Sequence, residues 1–325
     1  MLTKDDIRGV SIMIPTPCIE GGDHWSVTNS VDLEESARMT ENIISAGIGV
    51  ISACGTTGEG HSLLWEEKVA FIDTLVQINR HRVPIFAGAT ALGTRETIRQ
   101  MRAFKDMGAE GAFVGLPLWQ TPTIRNSVDF YANLSEAVPD MAIMVYANPM
   151  FFKSTFPTIF WEGVANNAPT VITNKIGAAP MIENLAANIK VSGHQIAHLP
   201  AENSAPLAHQ LIGDALHGFW STAASMGPEP SVALWKAIEK SDANRIEEIM
   251  NDRANLPRPG SIGNPDLPST FPMFNTQAEK ARMNASGYIK AGPTRPPYHH
   301  RLPPEQLEAA EIAGKGWAEM RKKYM

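Results

Sequence analysis

Cysteine is nearly absent: the chain of 325 residues carries only two, Cys18 and Cys54. Two thiols make no disulfide framework, so a packed core has to hold the fold together. Positive charge is not in surplus either, because 28 Lys and Arg stand against 34 Asp and Glu for a net charge of −6. That balance leaves no basic surplus to neutralise nucleic-acid phosphates, which argues against a nucleic-acid partner. No apolar run approaches the length of a membrane span. The opening Met-Leu-Thr-Lys-Asp-Asp lacks the basic-then-apolar order of a secretory signal. The expectation is a cytoplasmic protein with no nucleic-acid or membrane partner. Missing too are low-complexity tracts, and no Gly-x-Gly-x-x-Gly opens the first strand–helix unit, which weakens a dinucleotide-binding reading.

What is present is a rhythm. A hydrophobic fraction of 43% with 25 Gly and 24 Pro suits a globular chain with many turns. Apolar, β-branched runs at Gly9–Ile14, Ile48–Ala53, Pro84–Gly88, Gly111–Gly115, Ala142–Tyr146 and Thr170–Lys175 read as strands. Helical patterns separate them, at Asp32–Ala46, Trp65–Asn79, Thr94–Met107, Ile124–Ala137 and Pro157–Asn166, and a further helix is expected around Met181–Ala187. Two segments compete for a seventh strand, Ile189–Ser192 and Ile196–Leu199, with the second favoured, and Leu216–Ser221 makes an eighth, followed by a helical stretch at Ser231–Lys240. Strands alternating with helices in this way predict an α/β fold, a (β/α)₈ TIM barrel. Residues 1–240 are expected to form the barrel. Residues 241–325, with helical stretches at Asn244–Asn255, Phe274–Ser286 and Pro304–Tyr324 between the Pro/Gly-rich stretches 257–272 and 292–304, are expected to form a C-terminal helical extension.

In such barrels the chemistry sits at the C-terminal ends of the strands. The sixth run ends in Asn174-Lys175. Alternation places Val171, Thr173 and Lys175 on one strand face, so the amine lies beside apolar neighbours. Desolvation favours a neutral amine, the form that attacks a carbonyl carbon, although a lysine whose stem packs while its head reaches solvent fits the same pattern. The fifth run ends in Tyr146, whose phenol suits proton relay or, equally, a core position with a satisfied hydroxyl. The second run is followed by Cys54-Gly-Thr-Thr-Gly-Glu-Gly60. Gly55, Thr56 and Thr57 offer backbone N–H groups and hydroxyls for a small carboxylate, and Thr56 or Thr57 also fits as a helix cap.

Gly55-Thr-Thr-Gly-Glu59, Tyr146 in Tyr-Ala-Asn-Pro149, and Lys175 together resemble the signature set of the dihydrodipicolinate synthase and N-acetylneuraminate lyase superfamily. The resemblance implies a class I aldolase in which Lys175 forms an imine with pyruvate. It further implies that Thr56 and Thr57 hold the pyruvate carboxylate and that Tyr146 shuttles protons. Departures narrow the substrate. Phe151 stands where the synthase branch has an arginine for its second carboxylate, and Leu116-Pro-Leu-Trp119 replaces the tyrosines of that branch's proton relay. With Trp220 at the end of the eighth run, the expected mouth suits a flat aromatic substrate better than a sugar acid. Pro117-Leu-Trp119, Phe219-Trp-Ser221, Glu279-Lys-Ala-Arg282 and Lys290-Ala-Gly-Pro-Thr-Arg-Pro-Pro-Tyr298 resemble the hydratase-aldolases that act on trans-benzylidenepyruvates in aromatic-hydrocarbon degradation.

That likeness implies cleavage of an aryl-substituted pyruvate, with Trp119 and Trp220 bracketing the ring and Asn275 near the substrate; Asn275 also fits as a helix cap. It implies no metal or organic cofactor, because the protonated imine is the electron sink, and it implies a homotetramer. A metal-dependent pyruvate aldolase would instead use His194, His198, His209 and His217 with Glu202, whose spacing matches no strong zinc signature. A non-catalytic barrel that senses an oxo-acid would keep the carboxylate turn without needing Tyr146 and Lys175 together.

Overall fold

Short apolar runs become the strands of one eight-stranded sheet in the computed structural model, which describes residues 1–177, 180–256 and 271–325. The strands are β1 (Gly9–Met13), β2 (Val50–Ser52), β3 (Ile85–Gly88), β4 (Gly111–Val114), β5 (Ala142–Ala147), β6 (Val171–Ile176), β7 (Ala197–Leu199) and β8 (Gly218–Ser221). Their order is β7-β6-β5-β4-β3-β2-β1-β8, and each ladder from β2 to β7 is parallel. The backbone N–H of Trp220 donates to the Pro200 carbonyl beside an Ala201–Trp220 bridge, so the two ends of that order meet and the sheet all but closes. The result is a (β/α)₈ barrel with a C-terminal helical extension. Nearly every strand residue is buried, as a sheet covered on both faces requires.

The helices in chain order are α1 (Leu33–Ser45), α2 (Trp65–Asn79), α3 (Thr94–Asp106), α4 (Ile124–Ala137), α5 (Pro149–Phe152), α6 (Thr158–Asn167), α7 (Pro180–Glu183), α8 (Leu185–Val191) and α9 (Ala205–Ile212). After β8 follow α10 (Glu229–Glu239), α11 (Ala243–Ala254), α12 (Phe271–Ser286) and α13 (Pro304–Arg321). Several starts are fixed by side-chain caps worth about 1 kcal/mol each. Asp32 accepts from Glu35 N–H, Thr123 from Asn126 N–H and Asp242 from Arg245 N–H.

The chain divides into two compact units. One comprises Met1–Ser11, Gly49–Ser52 and Val83–Trp220 and holds most of the sheet with α3 to α9. The other comprises Ile12–Ile48, Ala53–Arg82 and Ser221–Met325 and holds α1, α2 and α10 to α13. In this second unit α13 lies against α12. The Trp317 indole donates to the Gly227 carbonyl at 2.9 Å, and Arg321 forks onto Glu229 at 2.6 and 2.7 Å.

The structure revises the sequence reading at a few places. Ile196–Leu199 does contain the seventh strand, whereas Ile189–Ser192 falls largely in α8, where Leu185 and Ile189 bury one helical face at i, i+4 spacing. The single helix expected around Met181–Ala187 is two short ones, α7 and α8, parted at Asn184. The helices α5 and α9 have no counterpart in the expectations, and α12 begins at Phe271, ahead of the expected Phe274. Residues 257–270 of the expected Pro/Gly-rich stretch 257–272 lie outside the described residues.

Gly314 is where α13 approaches α12: a Cβ there would stand 2.2 Å from the Arg282 carbonyl oxygen. Alanine is the better helix former by about 1 kcal/mol, yet Gly314→Ala is expected to lower unfolding free energy by about 1–3 kcal/mol through overpacking. Urea unfolding of the two proteins measures it; an unchanged or higher midpoint would contradict the close packing.

Candidate active site

Two strands side by side in the sheet, β5 and β6, carry Tyr146 and Lys175. The β5–β6 ladder starts with Ile143 opposite Val171, then skips one residue, so that Met144 pairs with Thr173 and Tyr146 with Lys175. Without that irregularity Tyr146 would pair with Asn174, one residue out of step, and would face the opposite side from Lys175. The slip therefore puts phenol and amine on the same face, at the C-terminal ends of neighbouring strands.

Lys175 is only 7% exposed and Tyr146 6%. The lysine Nζ lies 4.5 Å from the centroid of the Tyr146 ring and 3.6 Å from that of Trp220. An ammonium or iminium cation at such a place is attracted by both ring faces, at about 0.5–2 kcal/mol for each well-placed contact. The indole is fixed in turn, its Nε1–H donating to the Ile176 carbonyl at 2.6 Å. Trp220 thus reaches from β8 to β6 and forms one wall beside the amine.

Tyr146 is held from behind by residues that do not stand out in the sequence. Phe113 stacks on it at 4.5 Å between centroids, and Phe152 meets it edge-on at 5.0 Å. Phe152 reaches that position because α5 turns the chain directly after β5. Asn148 caps α5, accepting from Met150 and Phe151 N–H, and Pro149 sits at its first turn. The ring also needs Gly115, where a Cβ would stand 2.0 Å from it. The Asn-Pro pair after the tyrosine and Gly115 are the sequence signals for this packing. Phe151, singled out from the sequence, is half-buried in α5, while Trp119 follows β4 on a loop and is 85% exposed.

Gly55, Thr56, Thr57 and Asn275 belong to the second unit. Gly55 and Thr56 are partly exposed and Thr57 is buried. The turn is closed by Glu59 N–H donating to Thr56 O and Gly60 N–H to Gly55 O, and Thr16 Oγ1 donates to Gly58 O at 2.7 Å. With those carbonyls engaged, fewer oxygens are left to repel an anion at the turn. Neither threonine caps a helix: α2 starts later, at Trp65, where Glu67 takes the Leu64 N–H. Asn275 is half-buried inside α12, past the cap position. Its neighbour Thr276 donates to Thr56 O at 3.3 Å and so ties α12 to the turn.

The histidines proposed as metal ligands are dispersed. Among the described residues no three of His, Cys, Asp and Glu are grouped so as to hold a metal ion. His198 on β7 pairs instead with Asn174 on β6, Nδ1 lying 2.6 Å from the Asn174 amide nitrogen, and packs edge-on to Trp161. Its Nε2 has no protein partner among the described residues. Burial pushes this imidazole down to about 3, since a charged ring there would be desolvated without an acceptor.

The model of the dihydrodipicolinate synthetase family matches residues 25–258. The chain is similar over its whole length to trans-O-hydroxybenzylidenepyruvate hydratase-aldolase of Pseudomonas putida, at 39% identity covering 99% of this chain and 96% of that protein. It is likewise similar to trans-2'-carboxybenzalpyruvate hydratase-aldolase of Nocardioides sp. (strain KP7), at 33% identity covering 100% and 97%. Among solved structures, PhdJ bound to a substrate intermediate superposes with a TM-score of 0.93 at 32% identity, covering 100% of this chain and 99% of that one.

His198 generates a pH prediction. Its folded value near 3 lies below the unfolded one near 6.5. As pH falls through that window the unfolded chain takes up a proton that the folded chain refuses, and stability drops by up to about 1.4 kcal/mol per pH unit. His198→Asn, whose Oδ1 can replace Nδ1 toward Asn174, should flatten the decline between pH 6.5 and 4.5 in urea titrations. Equal slopes for the two proteins would show that His198 titrates normally.

Proposed function

The chain belongs to the dihydrodipicolinate synthetase family, and from that premise we propose that it is a class I hydratase-aldolase. It takes a substituted trans-benzylidenepyruvate and water to an aromatic aldehyde and pyruvate. The observation that carries this reading is the amine of Lys175 set between the faces of Tyr146 and Trp220. A nucleophilic amine must become a cationic imine and then lose that charge again. Two aromatic faces stabilise the cation without supplying a carboxylate that would lock it in place.

In the proposed sequence neutral Lys175 attacks the C2 carbonyl, the carbinolamine loses water, and an iminium forms. Gly55, Thr56 and Thr57 hold the C1 carboxylate. The iminium draws electrons through the conjugated double bond, so water adds at the benzylic carbon C4, its proton departs, and the enamine so formed is protonated at C3. Loss of the C4 hydroxyl proton then breaks the C3–C4 bond, with its electron pair flowing into the iminium. Aromatic aldehyde leaves, the pyruvate enamine takes a proton at C3, and hydrolysis frees Lys175. Tyr146 hands protons on and off near the imine, a role worth about 10²–10⁴ in rate for a placed acid–base group. Trp119 and Trp220 face the aryl ring, Phe151 replaces a carboxylate-binding cation with an apolar surface, and Asn275 serves the benzylic oxygen. No metal or organic cofactor takes part. The assembly is a cytoplasmic homotetramer, as the family likeness implies.

A substrate panel tests the reading. Ortho-hydroxy- and ortho-carboxy-benzylidenepyruvate should each release aldehyde and pyruvate, whereas pyruvate with aspartate semialdehyde should give no condensation product. Consumption of the semialdehyde pair alone would overturn the aromatic assignment.

A further inference from the structure

The carboxylate of Glu59, near the end of the Gly55–Gly60 turn, is 1% exposed and takes two cations. Lys280 Nζ donates to its Oε2 at 2.6 Å, and Arg295 donates to Oε2 through Nη1 and to Oε1 through its backbone N–H, each at 2.6 Å. Both cations are also buried, at 1% and 2% exposure. Lys280 donates further to the Pro293 carbonyl at 2.6 Å, and Arg295 reaches the carbonyls of Thr16 and Pro17 at 3.1 and 3.0 Å. The Arg295 Nε–H donates to Ser30 Oγ at 2.6 Å, and Ser30 in turn donates to Glu67. Burial pushes Lys280 down from its ordinary value, against the pull of Glu59.

A buried carboxylate with two buried cations gives weak evidence for stability, since desolvation offsets much of the attraction. Its geometry is more telling. Glu59 adopts a left-handed backbone at φ 52°, costly for a residue with a side chain, and so does Cys54 at φ 51°. Glycine would relieve that strain at Glu59 and would lose the carboxylate. On α12, Thr276 and Lys280 lie four residues apart on one face and grip the turn at Thr56 and Glu59. The extension therefore holds the turn at both ends of the Thr56–Glu59 segment.

We propose that Lys280, Arg295 and Thr276 are positioning residues that, through Glu59 and the Thr56 carbonyl, fix the Gly55–Thr57 turn in its carboxylate-binding shape. This rests on the reading of that turn as the holder of the substrate carboxylate. The C-terminal extension then sets how well the enzyme distinguishes a 2-oxo acid from an uncharged ketone, without touching the substrate. The bonds removed by Lys280→Met or Arg295→Lys are charge-assisted, so a loosened turn should weaken carboxylate binding by about tenfold, equivalent to about 1.4 kcal/mol. Thr276→Val, which removes one neutral bond, should cost about threefold.

The test is the concentration dependence of borohydride trapping with pyruvate and with pyruvamide, measured on the full-length wild type and on Lys280→Met, Arg295→Lys and Thr276→Val. The wild type should half-saturate at much lower pyruvate than pyruvamide. Lys280→Met and Arg295→Lys should need about tenfold more pyruvate and Thr276→Val about threefold more, with pyruvamide half-saturation and the adduct yield at saturation unchanged. Lys280→Arg, which keeps the charge, should recover part of the loss. If Lys280→Met does not fold, Arg295→Lys and Thr276→Val supply the same readout. A wild type that does not prefer pyruvate would overturn the carboxylate role of the turn itself. A wild type that does prefer it, with folded variants equally selective, would overturn the positioning role alone.

Discussion

A lysine amine held away from water between two aromatic faces is the constraint around which the rest of the barrel makes sense. Lys175 is 7% exposed, and its Nζ lies over two π faces, Trp220 at 3.6 Å and Tyr146 at 4.5 Å. In the proposed cycle the amine passes between neutral and cationic forms while those faces stay put, and each is pinned by something outside the amine. Trp220 is pinned by its bond to the Ile176 carbonyl, which also spans the seam where the sheet closes. Tyr146 is pinned by Phe113 and Phe152 and by the one-residue slip between β5 and β6. Barrel closure and active-site wall are in this respect one feature.

The second unit answers a different physical demand. The turn proposed to take the substrate carboxylate has one non-glycine residue at positive φ within it, Glu59, and another just before it, Cys54, conformations that surrounding structure has to hold. Here the shape is supported by side chains far along the chain, with Lys280 and Arg295 lying 221 and 236 positions from Glu59. The C-terminal extension thus has a proposed role at this turn beside its own helical packing. It gives a physical reason for the Glu279-Lys-Ala-Arg282 and Pro293-Thr-Arg295 sequences beyond helix formation.

Much of this is legible in the sequence. The strand runs are β-branched or apolar and bounded by Pro or Gly, so period and punctuation agree, and Tyr146 and Lys175 fall at run ends where barrel chemistry belongs. The seventh strand was harder because it is three residues long and a neighbouring apolar run, Ile189–Ser192, is mostly helical. The helix α5 is four residues long and leaves no periodicity to read, which hid Phe152, one residue after Phe151, whose backbone N–H donates to the Asn148 cap. The β5–β6 slip has no sequence mark at all. Nor does the pairing of Glu59 with Lys280 and Arg295, since an ion pair closed over such a separation depends on the finished fold. Trp220 was read as a wall for the substrate ring, and the geometry adds that it is first a wall for the amine.

The central claim is that Lys175 is the amine that becomes the imine. Borohydride reduction of the enzyme with pyruvate, followed by proteolysis and peptide mass mapping, tests it most directly. The account predicts a single reduced adduct on the peptide containing Lys175. An adduct on another lysine, or none under conditions where the enzyme turns over, would contradict it.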